Sequence, residues 1–198
     1  MQLIIALKEF HNMGKIYKDL RLENILIDSK GDCHLSNYGY SWAKINNDTK
    51  IYGAMEYLAP EVLHKKQFSH LSDIWAMGIV IYEVMMGVTP FNHQNQTVLS
   101  KFITQLDLHI PEKLTLSDEG KDFLTKILKK SPESRLGFSG IKELMDHEWF
   151  KGIDWENVNP KSLPSPIKVR INPNNMFSNF KTERDYKVRS EDNSLKTK

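Results

Sequence analysis

Apolar residues recur at Leu3, Ile4, Leu7 and Phe10, the spacing that turns one face of a helix into a core, and Gly14 supplies a stop. No capping residue precedes them, so the predicted helix begins at or before residue 1. Ile25-Leu26-Ile27 and Cys33-His34-Leu35 flank the turn sequence Asp28-Ser29-Lys30-Gly31 and predict a β-hairpin. Residues 37–56 carry no period and read as a loop. From Asp73 to Met86 the chain is apolar nearly all round, with Ile74, Trp75, Met77, Ile79, Val80, Ile81, Val84 and Met85, and predicts a buried central helix. Further helices are expected over 94–105, 118–129 and 140–147. Beyond about Asp154 the pattern dissolves. Pro160, Pro164, Pro166 and Pro173 force extended backbone, and the polar end at 190–198 reads as disordered. The expected fold class is mainly α, with one small hairpin, an extended tail and no internal repeat.

Composition changes this picture little. The 198 residues allow one substantial core with a tail, and 40% hydrophobic with 26% charged residues is ordinary for a globular chain. A formal charge of +2 from scattered Lys and Arg gives no footprint for nucleic acid. Cys33 is the single cysteine, which excludes an intramolecular disulfide and fits a reducing compartment. The apolar start Met1–Leu7 is stopped by Lys8-Glu9 and has neither a basic lead nor a small-residue cleavage site, so it is not read as a signal peptide. No apolar stretch is long enough to span a bilayer. The expectation is a soluble cytoplasmic chain, with the nucleus also open. His34, His64, His70 and His147 show no metal-ligand spacing.

The chemistry lies elsewhere. Ile16-Tyr17-Lys18-Asp19-Leu20-Arg21-Leu22-Glu23-Asn24 resembles the catalytic loop of a protein kinase, in which an Asp is followed five residues later by an Asn. Tyr57-Leu58-Ala59-Pro60-Glu61-Val62-Leu63 resembles the segment that closes the activation loop, and Asp73-Ile74-Trp75-Ala76-Met77-Gly78 the start of the central kinase helix. Ser134-Arg135-Leu136-Gly137 resembles the late segment whose Arg pairs with the glutamate of the closing segment, here Glu61. Four motifs in order across residues 16–137 make an accidental match untenable. Tyr17, Glu56-Tyr57-Leu58, and His147-Glu148-Trp149-Phe150 followed by Ile153-Asp154-Trp155 are similar to the AGC group. The stretch Pro164–Phe180, with Ser178-Asn179-Phe180, is similar to the C-terminal extension of cyclic-nucleotide-dependent kinases.

The resemblance implies a kinase C-terminal lobe over 1–150, then an AGC-type extension over 151–198 whose end is disordered. It implies an ancestral reaction, transfer of the ATP γ-phosphate to Ser or Thr with Mg2+. In that reaction Asp19 orients the acceptor hydroxyl and Arg21 stands where the family's Lys neutralises the moving phosphate. Asn24 and Asn37 stand at the cation positions, and Leu26 lies on the adenine floor with Val80 and Val84 beneath it. Asp73 is structural, receiving backbone N–H groups of the catalytic loop, as are Glu61 and Arg135. Glu23, Glu56 and Glu83 match positions that hold basic substrate residues, while Ile51, Met55 and Leu58 suit an apolar pocket beside the acceptor.

Several positions depart from the family pattern. No Gly-rich phosphate loop, strand lysine or partner glutamate precedes Met1, so the N-terminal lobe and its β-sheet are expected to be absent. Asn37-Tyr38-Gly39 stands in place of Asp-Phe-Gly, losing a carboxylate that a hard divalent cation favours. Lys18 replaces an Arg, and Lys50 occupies the column of the activation-loop phosphate, so two cations face one another there. Ala54 and Met55 replace a Thr and a Pro. Asp19 therefore reads either as catalytic or as a plain loop residue, and Asn24 as a cation ligand or a turn amide. The expected function is a catalytically impaired, pseudokinase-like lobe that acts by binding. Its partners would be proteins or peptides with basic residues, or a kinase inhibitory or regulatory subunit. An active kinase whose N-terminal lobe lies outside this sequence, and a truncated product without function, stand beside it.

Overall fold

The computed structural model describes residues 1–38, 54–65, 67–112, 115–156, 167–170, 172–174 and 179. Helix α1, Gln2–Asn12, buries Ile4 and Leu7 and ends before Gly14, whose φ of 66° closes the turn. The hairpin follows as β1, Ile25–Ile27, and β2, Cys33–Leu35, antiparallel with Leu26 opposite His34. Asp28 Oδ1 folds the turn by accepting the N–H groups of Lys30 at 2.8 Å and Asp32 at 3.0 Å. Gln2 then fixes the hairpin to α1. Its Nε2 donates to Asp32 Oδ1 and its Oε1 accepts from Cys33 N, each at 2.8 Å.

Helix α2, Pro60–Lys65, has no counterpart among the helices expected from periodicity, because six residues are too few to show a period. Its signal is Pro60 at the first helical position, where a fixed φ and a missing N–H cost nothing. The central helix α3 spans His70–Met86, beginning earlier than the apolar run because Ser69 N donates to Ser72 Oγ at 3.1 Å. Ile74, Trp75, Met77, Ile79 and Val80 are buried in it. Gly87, at φ 75°, ends it. Helix α4, Gln96–Gln105, starts on the Asn95 side chain, which accepts from Thr97 N and Val98 N. Helix α5, Asp118–Ile127, packs on α3 and stops two residues short of expectation, while α6 is only Lys142–Met145. Gly137 and Gly140, at φ 98° and 123°, delay the start of α6. A Cβ on Gly137 would lie 2.5 Å from Ile74 Cδ1, so glycine is required there for close packing on α3.

Met55–Tyr57 forms a 3-10 turn across the end of the stretch 37–56 expected to be a loop. Lys50, Ile51 and Gly39 lie outside the described residues, as do Pro164, Ser178 and Phe180. Past residue 150 the chain still holds to the lobe, because Trp155 Nε1 donates to Met145 O at 2.9 Å and its ring packs on Phe150. No helix among the described residues is long and apolar enough to cross a membrane. The architecture is mainly helical around α3, with the hairpin at one edge.

Candidate functional site

The site is built outward from Asp73, in the first turn of α3 and 1% exposed. Its Oδ2 accepts Tyr17 N and its Oδ1 accepts Lys18 N, both at 2.8 Å, and His11 Nε2 lies 2.9 Å from Oδ2. Those two N–H bonds hold Lys18 in the left-handed region at φ 72°, a conformation that a lysine does not adopt without such support. The chain then presents Asp19, which is buried at 8%. Burial, partly offset by Asp73, lowers the Lys18 pKa, and nearby Lys15 adds to the lowering.

Asn24, in the 3-10 turn Leu22–Asn24, donates from Nδ2 to Asp19 O at 2.7 Å and to Asp19 Oδ2 at 2.8 Å. Asn37, also left-handed at φ 56°, donates from Nδ2 to the same Oδ2 at 3.3 Å. One carboxylate oxygen therefore takes both carboxamides. Tyr17 ties the two loops together, its hydroxyl donating to Ser36 O while Ser36 N donates to Asn24 O at 2.9 Å. Burial raises the Tyr17 pKa, and the charges of Asp19, Asp73 and Tyr38 add to it. Ala54 lines a small crevice together with Asp19, where it offers no hydroxyl to the carboxylate.

Beside this centre lies an open groove of about 290 Å³ lined by Arg21, Glu23, Glu56, Tyr57, Glu83 and Thr89 among others. The structure thus brings together the three carboxylates singled out from the sequence. Glu83 is buried in α3 and accepts the Tyr57 hydroxyl, and burial together with that contact raises the Tyr57 pKa. Arg21 Nε donates to Glu23 Oε2 at 2.9 Å. Neither contact was anticipated. The two-residue spacing of Arg21 and Glu23 was visible in the sequence, whereas nothing local connects Tyr57 with Glu83.

The apolar expectations fare differently. Leu58 is 5% exposed and faces the crevice near Asp19, while Met55 lines a separate hollow with His64 and the polar face of α4. Ile51, the third residue expected there, lies outside the described residues. Of the residues expected on the adenine floor, Leu26 on β1 and Val84 on α3 are 41% and 68% exposed, whereas Val80 is buried. At the far side of α2, Arg135 donates to Glu61 through Nη1 at 2.7 Å and Nη2 at 2.9 Å, the bidentate pair expected from the motifs.

This arrangement of a catalytic-loop Asp, its Asn five residues on, a bracketing Asp73 and a buried Arg–Glu anchor is that of a protein kinase C-terminal lobe. The protein kinase domain family matches residues 1–150. Serine/threonine-protein kinase SCH9 of Candida albicans is 37% identical over 187 residues, covering 92% of this chain and 24% of that protein. RAC-beta serine/threonine-protein kinase of Rattus norvegicus is 35% identical, covering 86% of this chain and 36% of its own. The cAMP-dependent protein kinase catalytic subunit PRKX of Mus musculus is 32% identical, covering 91% and 51%. The chain belongs to the serine/threonine protein kinase family, within the AGC group. It spans between about a quarter and a half of the length of these relatives.

Proposed function

We propose that this lobe is impaired in phosphoryl transfer and acts by binding proteins that carry basic residues, among them a substrate or a regulatory subunit of a related kinase. The observation that carries the first half is the pair of carboxamides on Asp19 Oδ2. A carboxylate only accepts, so both amides turn their nitrogens to it, leaving neutral carbonyl oxygens as the remaining donors. The family's Mg2+ favours carboxylate oxygens, and Asn37 supplies none, so this donor set does not fit a tightly held divalent cation. ATP enters the proposal only as the family's phosphoryl donor.

The second half rests on the acidic groove, where Glu23, Glu56 and Glu83 converge within one volume. Such a field attracts Arg and Lys side chains of a partner and disfavours acidic ones. The reading of an active kinase is supported by the Asp73 bracket and the Asn24 bond, which still present Asp19. One experiment separates the two. The purified chain is incubated with radiolabelled ATP, Mg2+ and a serine peptide bearing two adjacent arginines, and peptide binding is followed by fluorescence anisotropy. Binding without phosphate incorporation is the expected result. Incorporation that disappears in Asp19→Asn would overturn the impairment.

A further inference from the structure

We infer that Arg21 is the groove's own arginine: it holds Glu23 in the way a basic side chain of a partner would, and so sets how strongly the groove accepts one. This rests on the binding role proposed above and specifies its control. The Arg21 Nε to Glu23 Oε2 contact of 2.9 Å lies on the wall of the 290 Å³ groove that also carries Glu56 and Glu83. Burial alone would lower the Arg21 pKa, yet the bond and charge of Glu23, with Asp19 and Tyr57, raise it, so its cation stays in place. Only an arginine makes this contact through a secondary nitrogen of a planar fork. A lysine carries a compact point charge with no such nitrogen.

The pair is accessible to competition, with side chains 29% and 38% exposed. Ion pairs of that exposure are weak and displaceable. Glu83 is engaged differently, by a neutral hydroxyl that leaves its charge in the groove. An incoming guanidinium therefore meets at Glu83 a carboxylate held by a hydroxyl, but at Glu23 one that it must share or contest with Arg21. The groove discriminates for partners with enough basic residues to do so.

The test is a double-mutant cycle on the full chain, read as the Kd of a dye-labelled peptide with two adjacent arginines at low salt. Arg21→Gln is expected to tighten binding about three- to fivefold, the size of a partly exposed ion pair. In the Glu23→Gln background the same change should have an effect below about twofold. Arg21→Lys, which keeps the charge, should fall between and serves if the Gln variant melts early by circular dichroism. An unchanged or weaker Kd for Arg21→Gln overturns the inference. So does an equal gain in both backgrounds, which would mean simple long-range charge. No binding by any of the variants or the parent would instead remove the groove reading itself.

Discussion

Arg135 and Asp19 are both buried charges at the edge of α3, and they are satisfied in opposite ways. Arg135, 1% exposed, places every guanidinium nitrogen: Nε on Lys129 O at 3.0 Å, Nη1 on Glu61 and Leu71 O, Nη2 on Glu61 and Lys130 O. Its charge is matched by a carboxylate and its remaining donors by main-chain oxygens. Asp19 meets no cation at hydrogen-bond distance among the described residues. Its Oδ2 is shared by two neutral amides, one of them on the exposed Asn37. The difference separates two requirements. Packing of the lobe depends on the first cluster, where every motif residue stands. The family's phosphoryl transfer draws on the positions of the second, where Asn37 and Ala54 depart from the family pattern.

That contrast is sharpened most by cutting the anchor. Glu61→Ala leaves the Arg135 guanidinium buried without its carboxylate, and a loss of about 3–5 kcal/mol in chemical denaturation is expected. A loss below about 1 kcal/mol would place the two clusters on an equal footing. Asp73→Asn comes next. An amide offers one oxygen to the N–H groups of Tyr17 and Lys18, which now have two, so one backbone donor is orphaned. About 2–3 kcal/mol should be lost, with amide exchange at Lys18 speeding up before exchange in α5. If both regions speed up together, Asp73 supports the whole lobe rather than the loop.

Legibility follows the same division. The hairpin was readable from the turn signal between Ile25–Ile27 and Cys33–Leu35, α1 from its helical apolar spacing, α3 from a long run apolar nearly all round, and the Glu61–Arg135 pair because the motifs fix both ends. Helix α2 was not, being shorter than two turns, and α6 shrank because left-handed Gly137 and Gly140 do not alter hydropathy. In the site, Asp19, Asn24, Asn37, Glu23, Glu56 and Glu83 could be named from their places in motifs that resemble the kinase family. Their pairing could not. Whether Arg21 turns to Glu23, and Tyr57 to Glu83, depends on the path of a main chain separated by up to 26 residues.

The second cluster is probed by Asn37→Asp. A carboxylate beside Asp19 replaces an attractive N–H contact with like-charge repulsion, at about 1 kcal/mol for a partly exposed pair. The melting temperature should fall in chelator and recover in millimolar Mg2+, whereas the parent chain should show no Mg2+-dependent shift. A parent that is stabilised by Mg2+ as much as the variant would break the contrast, since carboxamides would then be holding the cation.

The smallest effect concerns the anchor's own weak edge. Lys130, whose carbonyl serves Arg135, places its amine 3.7 Å from the Phe91 ring centre and donates to Ile103 O at 2.7 Å. Burial lowers its pKa to about 8 against the pull of Asp107, and the Arg135 charge lowers it further. The unfolded chain keeps that proton until about pH 10.4. Between these values the unfolded state binds more protons, so stability rises with pH. Tyr17 and Tyr57 act in the other direction, their raised pKa values giving stability that is lost above the ordinary tyrosine value near 10. In the window from about pH 8 to 10 Lys130 makes stability rise, with Lys18, also lowered by burial, acting in the same direction and the Cys33 thiol, raised by burial, acting against them. Melting temperatures of the parent should climb across that window, and Lys130→Met should flatten the climb without altering the fall above pH 10. An equal climb in both chains would mean that the Lys130 amine stays protonated in the folded lobe, and that the anchor carries no unrelieved charge.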